Sequence, residues 1–159
     1  MVCDKIIGFG QSGYDLYKEL HQNPYNQFIH GIGMPFTILG VFIWLPALLG
    51  FFKDSARIFN YCLTLVFCAY YVSWDPVGGL LCLLFYRFYI ADCIRYTQMT
   101  KRNRRQSIAI GFVGMLFFIG LQEGIGHTFF EEKNSDLCQL PNSIIIAPIF
   151  GMRALFFMA

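Results

Sequence analysis

The chain has 159 residues, which is enough for one domain with its own core. Its composition is 56% hydrophobic and 18% aromatic but only 14% charged, against roughly 25% charged in an average soluble domain. With a net charge of only +2 and with the bases of Lys101–Arg105 confined to one short loop, a nucleic-acid-binding surface is not indicated. The composition instead predicts a protein whose solvent is lipid.

The chain opens with a charged segment that predicts a short amphipathic helix over Ser12–His21. Ser12 is a possible N-cap, and the helix is expected to end before Asn23-Pro24. The first 30 residues contain five charged side chains and no apolar core segment. A cleavable signal peptide is therefore not expected.

Four apolar stretches follow, and a fifth lies near the carboxyl end. A membrane helix needs about 20 mainly apolar residues. The predicted spans are 31–52, 58–74, 77–91 and 106–123, with a C-terminal interfacial or membrane helix at 142–157. Arg87 interrupts the third span, where it could snorkel or face a cavity. The prediction is an all-α, polytopic integral membrane helical bundle of four to five membrane helices, forming a single membrane domain over residues 1–159.

The six cysteines are mostly within or beside these apolar runs, and none forms a Cys-x-x-Cys pair. A zinc ribbon or a disulfide framework would need paired or loop-borne cysteines. Buried free thiols are therefore expected.

All three histidines of the chain are predicted to share one side of the membrane. His21 and His30 precede the first span and His127 follows the fourth, so an even number of crossings separates them. The two loops on the opposite side, 53–57 and 92–106, carry most of the basic residues. The positive-inside rule then places those loops in the cytosol and the histidines on the lumenal side.

The first histidine motif, 17–35, contains the sequence HQNPYNQFIH. Asn is a favoured N-cap and Pro is favoured at the first helical position, so Asn23-Pro24 predicts that one helix stops and another starts. Such a corner can aim His21 and His30 at one point. Tyr17 and Asn26 each lie four residues before a histidine and could orient its ring.

The second histidine motif, 123–131, places Glu123, His127 and Glu131 four residues apart on one helical face. Gly120, Gly124 and Gly126 would let other backbone approach. Three imidazoles with nearby carboxylates suit one or two first-row metal ions with open coordination positions. A solvated interfacial cluster with no metal is the alternative. Neither a His-Glu-x-x-His helix nor a Gly-x-Ser-x-Gly elbow is present.

The order of these motifs resembles a family of small membrane proteins. The residues that carry the resemblance are Tyr17-x3-His21-x-Asn23-Pro24-x-Asn26-x3-His30-x4-Pro35, four hydrophobic segments, Gly126-His127-x3-Glu131 and Ala147-Pro148. The family is that of the yeast-type endoplasmic-reticulum 2-hydroxy fatty acid dioxygenases, and the likeness covers about residues 14–150.

The resemblance implies a multi-pass protein of the endoplasmic-reticulum membrane and an Fe(II)-dependent dioxygenase. It would use O2 to convert a long-chain 2-hydroxy fatty acid to the acid one carbon shorter and CO2, as in sphingoid-base breakdown. It implies His21, His30 and His127 as catalytic metal ligands. Glu123 departs from the glutamine usual in the family, and a carboxylate there would add a ligand or change the charge balance of the metal.

Two cations are possible helpers for the substrate carboxylate, namely Lys133 and Arg87. Substrate chain length and oligomeric state are not predicted. The alternative function is a non-catalytic membrane protein that binds or scaffolds lipid, with the histidines forming a structural metal site or a polar cluster.

Overall fold

The computed structural model describes residues 10–99, 103–131 and 140–157, and all regular structure in these ranges is helical. The predicted all-α class is thereby confirmed. The elements are α1 (Gly10–Leu20), α2 (Pro24–Leu48), α3 (Asp54–Val72), α4 (Pro76–Met99), α5 (Arg104–Gly120), a π-helix (Leu121–Phe130) and α6 (Leu140–Phe157).

The predicted corner between the first two helices is present. Asn23 is the N-cap of α2, its side chain accepts a hydrogen bond from the Tyr25 backbone N–H at 2.9 Å, and Pro24 is the first helical residue. Two boundaries differ from expectation. Ser12 lies inside α1, which starts at Gly10, and α2 starts seven residues before the predicted span at 31, so His30 lies inside a long helix.

The later helices are also longer than predicted. The spans expected at 58–74 and 77–91 correspond to α3 and to the longer α4, and the C-terminal helix begins at Leu140. The span expected to end at residue 123 continues without a break through α5 and the π-helix to Phe130. The uncharged run of the sequence ends at Glu123, but the backbone remains helical beyond it.

Two of the described helices have the length and hydropathy to cross a membrane. They are Pro24–Leu48 and the continuous segment Arg104–Phe130. Buried core helices of soluble proteins can have the same properties. Only 11% of the most apolar part of Arg104–Phe130 is buried, so the second segment is not a core helix.

Helix α2 is the centre of the bundle and contacts α3, α4, α5, α6 and the π-helix. Its carboxyl end is capped by Arg104, the first residue of α5. Arg104 donates from Nε to the Ala47 carbonyl at 3.0 Å and from Nη2 to the Leu48 carbonyl at 2.9 Å. These contacts satisfy carbonyls that a helix end leaves without partners. Arg104, predicted only as a topological charge, therefore also has a packing role.

The cysteine prediction is correct in part. Cys62, Cys68 and Cys82 are free thiols, and the last two are buried. Cys62 is exposed because it lies on the outer face of α3. The other three cysteines lie outside the described side chains.

The turn between α3 and α4 is tied to α6 by an ion pair. Asp75 accepts from Arg153 Nε at 2.7 Å and from Arg153 Nη2 at 2.5 Å. Its Oδ1 also accepts from the Gly78 backbone N–H at 3.1 Å, at the first turn of α4. Burial acts to raise the pKa of Asp75, but the hydrogen bonds from Arg153 and Gly78 outweigh it and lower the pKa. The carboxylate thus joins three helices.

We expect Asp75→Asn to destabilise the protein by about 2 kcal/mol at neutral pH, because it removes a charge-assisted pair. A carboxyl whose folded pKa is depressed adds stability above its unfolded pKa of about 4, and this stability is lost as pH falls through the folded pKa. Thermal unfolding in detergent at pH 7 and at mildly acidic pH measures both effects. Glu19→Gln, on the exposed face of α1, is the control. Equal melting temperatures for Asp75→Asn and wild type would contradict the assignment.

Candidate metal centre

The three histidines meet in one cluster although His127 lies 97 residues after His30 in the chain. One ring nitrogen from each of His21, His30 and His127 lies within 4.8 Å of the other two. The ring centroids are 4.6 Å apart for His21 and His30, 4.6 Å for His21 and His127, and 5.5 Å for His30 and His127. The first two are buried and His127 is partly buried. The predicted convergence is therefore present in the structure.

Tyr17 fixes the orientation of the first two imidazoles. His21 Nδ1 lies 2.7 Å from the Tyr17 carbonyl oxygen and donates to it, while the two rings stack at 4.0 Å. The Tyr17 hydroxyl lies 3.4 Å from His30 Nδ1. With the proton on Nδ1, each histidine keeps the lone pair of Nε2 for a metal. Tyr17 was predicted to orient His21 alone, whereas it contacts both rings.

The donor atoms fit a metal ion. His21 Nε2 and His30 Nε2 are buried and have no hydrogen-bond partner. Such unpaired buried groups are costly and uncommon. Burial, followed by the nearby His127, lowers the pKa of His21 to about 3, so the ring is neutral at physiological pH. Neutral imidazoles with free lone pairs, side by side in a buried site, are what a divalent transition metal binds.

His127 comes from the π-helix, an element uncommon in proteins and frequent at functional sites. Gly126 lets this helix approach α2, since a Cβ atom there would lie 2.2 Å from Asn26 Oδ1 and 3.6 Å from His30 Nε2. Gly120 and Gly124 face open space. Of the three glycines predicted to allow close approach, only Gly126 does so.

Glu131 does not point at the cluster, as its predicted position on the face of His127 implied. Its Oε1 accepts from the Asn23 backbone N–H at 2.8 Å and from Asn26 Nδ2 at 3.1 Å. Asn23 Nδ2 in turn donates to the Phe130 carbonyl at 2.9 Å. The end of the π-helix is thereby joined to the start of α2. The prediction assumed one continuous helical face, but Glu131 lies just past Phe130, the last residue of the π-helix.

Asn26, like Glu131, joins the end of the π-helix to α2. It was predicted to orient His30 from four residues away, but its side-chain amide donates to Glu131. It is fully buried. Asn26 therefore positions His127 by holding the π-helix against α2.

Glu123 places a carboxylate beside one of the three imidazoles. Its Oε2 lies 3.8 Å from His127 Nε2, one turn away on the same helix. Among the described residues, no carboxylate joins the three histidines in the group of donor atoms that lie within 4.8 Å of one another. Glu123 is thus placed to orient His127 or to influence the charge of a bound ion.

Of the two cations predicted as helpers, Arg87 does not join the site, because it is exposed on the outer face of α4. Lys133 lies outside the described residues. Sequence analysis missed Phe150 of α6, which is fully buried and lies with its ring 5.0 Å from that of Tyr17 and 5.2 Å from that of His21. It lies two residues after the Ala147-Pro148 motif, which was the only available signal.

We expect Glu131→Ala to lower the affinity for metal by about 10- to 100-fold, as loss of a supporting hydrogen bond commonly does. Without its carboxylate, the π-helix loses its attachment to the corner and His127 is displaced. Glu131→Gln keeps an acceptor oxygen and should retain most of the affinity. Titration with Fe(II) or Co(II) under nitrogen measures the difference. A Glu131→Ala variant that binds metal as tightly as wild type would show that Glu131 does not position His127.

The fold and the cluster define a class, that of helical proteins with apolar, membrane-length helices and a buried three-histidine site suited to a metal ion. Comparison with models of protein families, with curated proteins and with solved structures finds no match to this chain.

Proposed function

We propose that this protein is a multi-pass membrane dioxygenase of the endoplasmic reticulum that uses Fe(II) and O2 to shorten 2-hydroxy long-chain fatty acids by one carbon. The observation that carries the proposal is the buried group formed by His21, His30 and His127. Three histidine ligands leave coordination positions for a substrate and for O2. The substrate and product classes come from the resemblance of the sequence motifs.

The overall reaction balances as one 2-hydroxy acid and one O2 giving the shortened acid, CO2 and water. The C1–C2 bond breaks, the C2 carbon becomes the new carboxyl carbon, and O2 accepts the four electrons released. Bound iron would supply the redox chemistry and an anchor for the hydroxy-carboxylate.

The protein residues prepare this chemistry. Tyr17 holds Nδ1 of His21, which keeps Nε2 free for the ion. Phe150 covers His21 and helps to exclude water from the site. Glu123, beside His127, can hold a proton close to the reacting groups.

Exposed side chains support four or five membrane helices rather than two. Large apolar residues face outward on every one of α2 to α5, for example Phe36, Leu65, Leu84 and Val113, all of which are 40% or more exposed. Exposed apolar surface of this extent is unusual on a soluble monomer. A bilayer would cover it, and α3 and α4 would then cross beside α2 and α5.

The test uses protein purified in detergent under nitrogen. Metal analysis should find one or two equivalents of iron per chain. Addition of 2-hydroxypalmitate and O2 should give pentadecanoate and CO2, with one O2 consumed per acid. Palmitate, which lacks the 2-hydroxyl, is the control substrate and should give no product.

Three results would overturn the proposal. Iron-loaded protein that consumes no O2 with 2-hydroxypalmitate is not this enzyme. Stoichiometric zinc without O2 uptake would favour a structural site. Protein that holds no metal after loading would favour a lipid-binding or scaffold protein with a polar histidine cluster.

A further inference from the structure

An apolar, partly open cavity of about 110 Å³ lies between helices of the bundle, and none of the three histidines lines it. Helices α2, α3, α4 and α6 line it, through residues that include Val41, Leu63, Phe67, Tyr86 and Pro148. Its wall is almost entirely hydrocarbon and aromatic. Nothing in the proposed chemistry at the histidines accounts for it.

Helix α2 contributes residues to both the cluster and the cavity. Ile38, which lines the cavity, follows His30 by eight residues, or about 12 Å along the helix. Met34 lies halfway between them, on nearly the same face, and is buried. Methionine is unbranched and adaptable, so its side chain can move aside for a ligand that runs between the two places.

We propose that this cavity binds the end of a straight hydrocarbon tail whose acid group lies at the histidine cluster. A polar ligand would lose its hydrogen bonds in such a space, and water finds too few partners in an apolar cavity. An extended chain of about ten carbons covers the distance from His30 to Ile38. Tails longer than this enter the cavity, so it selects for long-chain substrates.

This inference rests on the proposed function for the position of the acid group. Its test is therefore a binding experiment that needs no turnover. A 16-carbon 2-hydroxy acid with a photoreactive diazirine at the tail end is added under nitrogen, irradiated, and its adducts are located by peptide mass spectrometry.

Helix α3 provides an internal comparison for the adducts. Leu63 and Phe67 line the cavity, whereas Leu65 and Val66 on the same helix are 56% and 66% exposed. We expect adducts at Leu63 and Phe67, and an excess of unlabelled 2-hydroxypalmitate should suppress them. The same concentration of 2-hydroxyoctanoate, whose tail is too short to reach Ile38, should leave them in place.

A matched pair of variants then tests occupancy of the cavity. Val41→Phe fills it and should lower the yield of adducts at Leu63 and Phe67 by about tenfold, which corresponds to excluding about two methylene groups. Val66→Phe makes the same change on the outer face and should leave the yield unchanged. Thermal unfolding checks that both variants fold.

Adducts mainly at Leu65 and Val66, or equal competition by the 8- and 16-carbon acids, would overturn the inference. The competition experiment uses wild-type protein, so a misfolded variant does not affect it. Cavity adducts in a protein that shows no O2 uptake would support the tail site while refuting the dioxygenase. Turnover of 2-hydroxypalmitate with adducts only on the outer face would support the dioxygenase while refuting the tail site.

Discussion

Replacing any one of His21, His30 and His127 by alanine is expected to remove bound iron and to lower turnover of 2-hydroxypalmitate by at least about 100-fold. Each imidazole would be one of three ligands, and even loss of a supporting group outside the ligand set commonly costs 10- to 100-fold. Among the described residues, no Cys, Asp or Glu joins the ligand group that contains the unpaired Nε2 atoms of His21 and His30. Iron content by mass spectrometry and O2 uptake measure the two effects together.

A neighbouring variant separates loss of ligand from loss of structure. Gln22 follows His21 in the corner between α1 and α2, and its side chain is exposed. Gln22→Ala should bind iron and turn over substrate as wild type does. If the three alanine variants keep full iron occupancy, the metal lies elsewhere. If they lose iron but keep turnover, the cluster is a structural site.

Local sequence chemistry explains why the histidine corner could be predicted. Asn and Pro at a helix start act through their own backbone and side chain, so Asn23-Pro24 indicates the break between α1 and α2 without knowledge of any partner. The return of His127 to the same side was predicted from an even number of membrane crossings between the motifs, and two of the described helices are long and apolar enough to cross. The first inference uses only neighbouring residues, and the second uses only the order of segments along the chain.

Contacts between distant segments could not be predicted in the same way. Glu131 has its partners 105 and 108 residues earlier in the chain. Its spacing of four residues from His127 predicted a different partner, namely the histidine cluster. The π-helix that carries His127 has no composition signal comparable to a cap or a proline. Phe150 packs on Tyr17 only because α6 folds back into the bundle.

The fit of α2 against α5 depends on two glycines that meet across the interface. A Cβ atom on Gly111 would lie 2.7 Å from the Gly40 carbonyl oxygen and 2.7 Å from the Trp44 backbone nitrogen. A Cβ atom on Gly40 would lie 2.7 Å from the Gly111 carbonyl oxygen. These contacts are with backbone, which cannot rotate away. The helices must therefore separate to accommodate a methyl group.

We expect Gly111→Ala to destabilise the protein by about 2 kcal/mol or more, within the usual range for overpacking. Small residues at such crossings let helices pack closely in lipid, where no hydrophobic force holds them together. Gly114→Ala is the matched control, because Gly114 is on the same helix and has no atom within 4 Å of its Cβ position. Alanine is favoured over glycine inside a helix by up to about 1 kcal/mol, so this variant should be neutral or stabilised.

Gly111→Ala should also weaken the metal centre, since α5 continues directly into the π-helix that carries His127. Gly111 lies 16 residues before His127, or roughly 24 Å along a regular helix, and no contact joins the two. A shift of α5 away from α2 would nevertheless move the π-helix away from His30. Thermal unfolding and Fe(II) titration of Gly111→Ala and Gly114→Ala measure both consequences. Reduced stability with unchanged metal affinity would show that Asn26 and Glu131 hold His127 independently of the α2–α5 crossing.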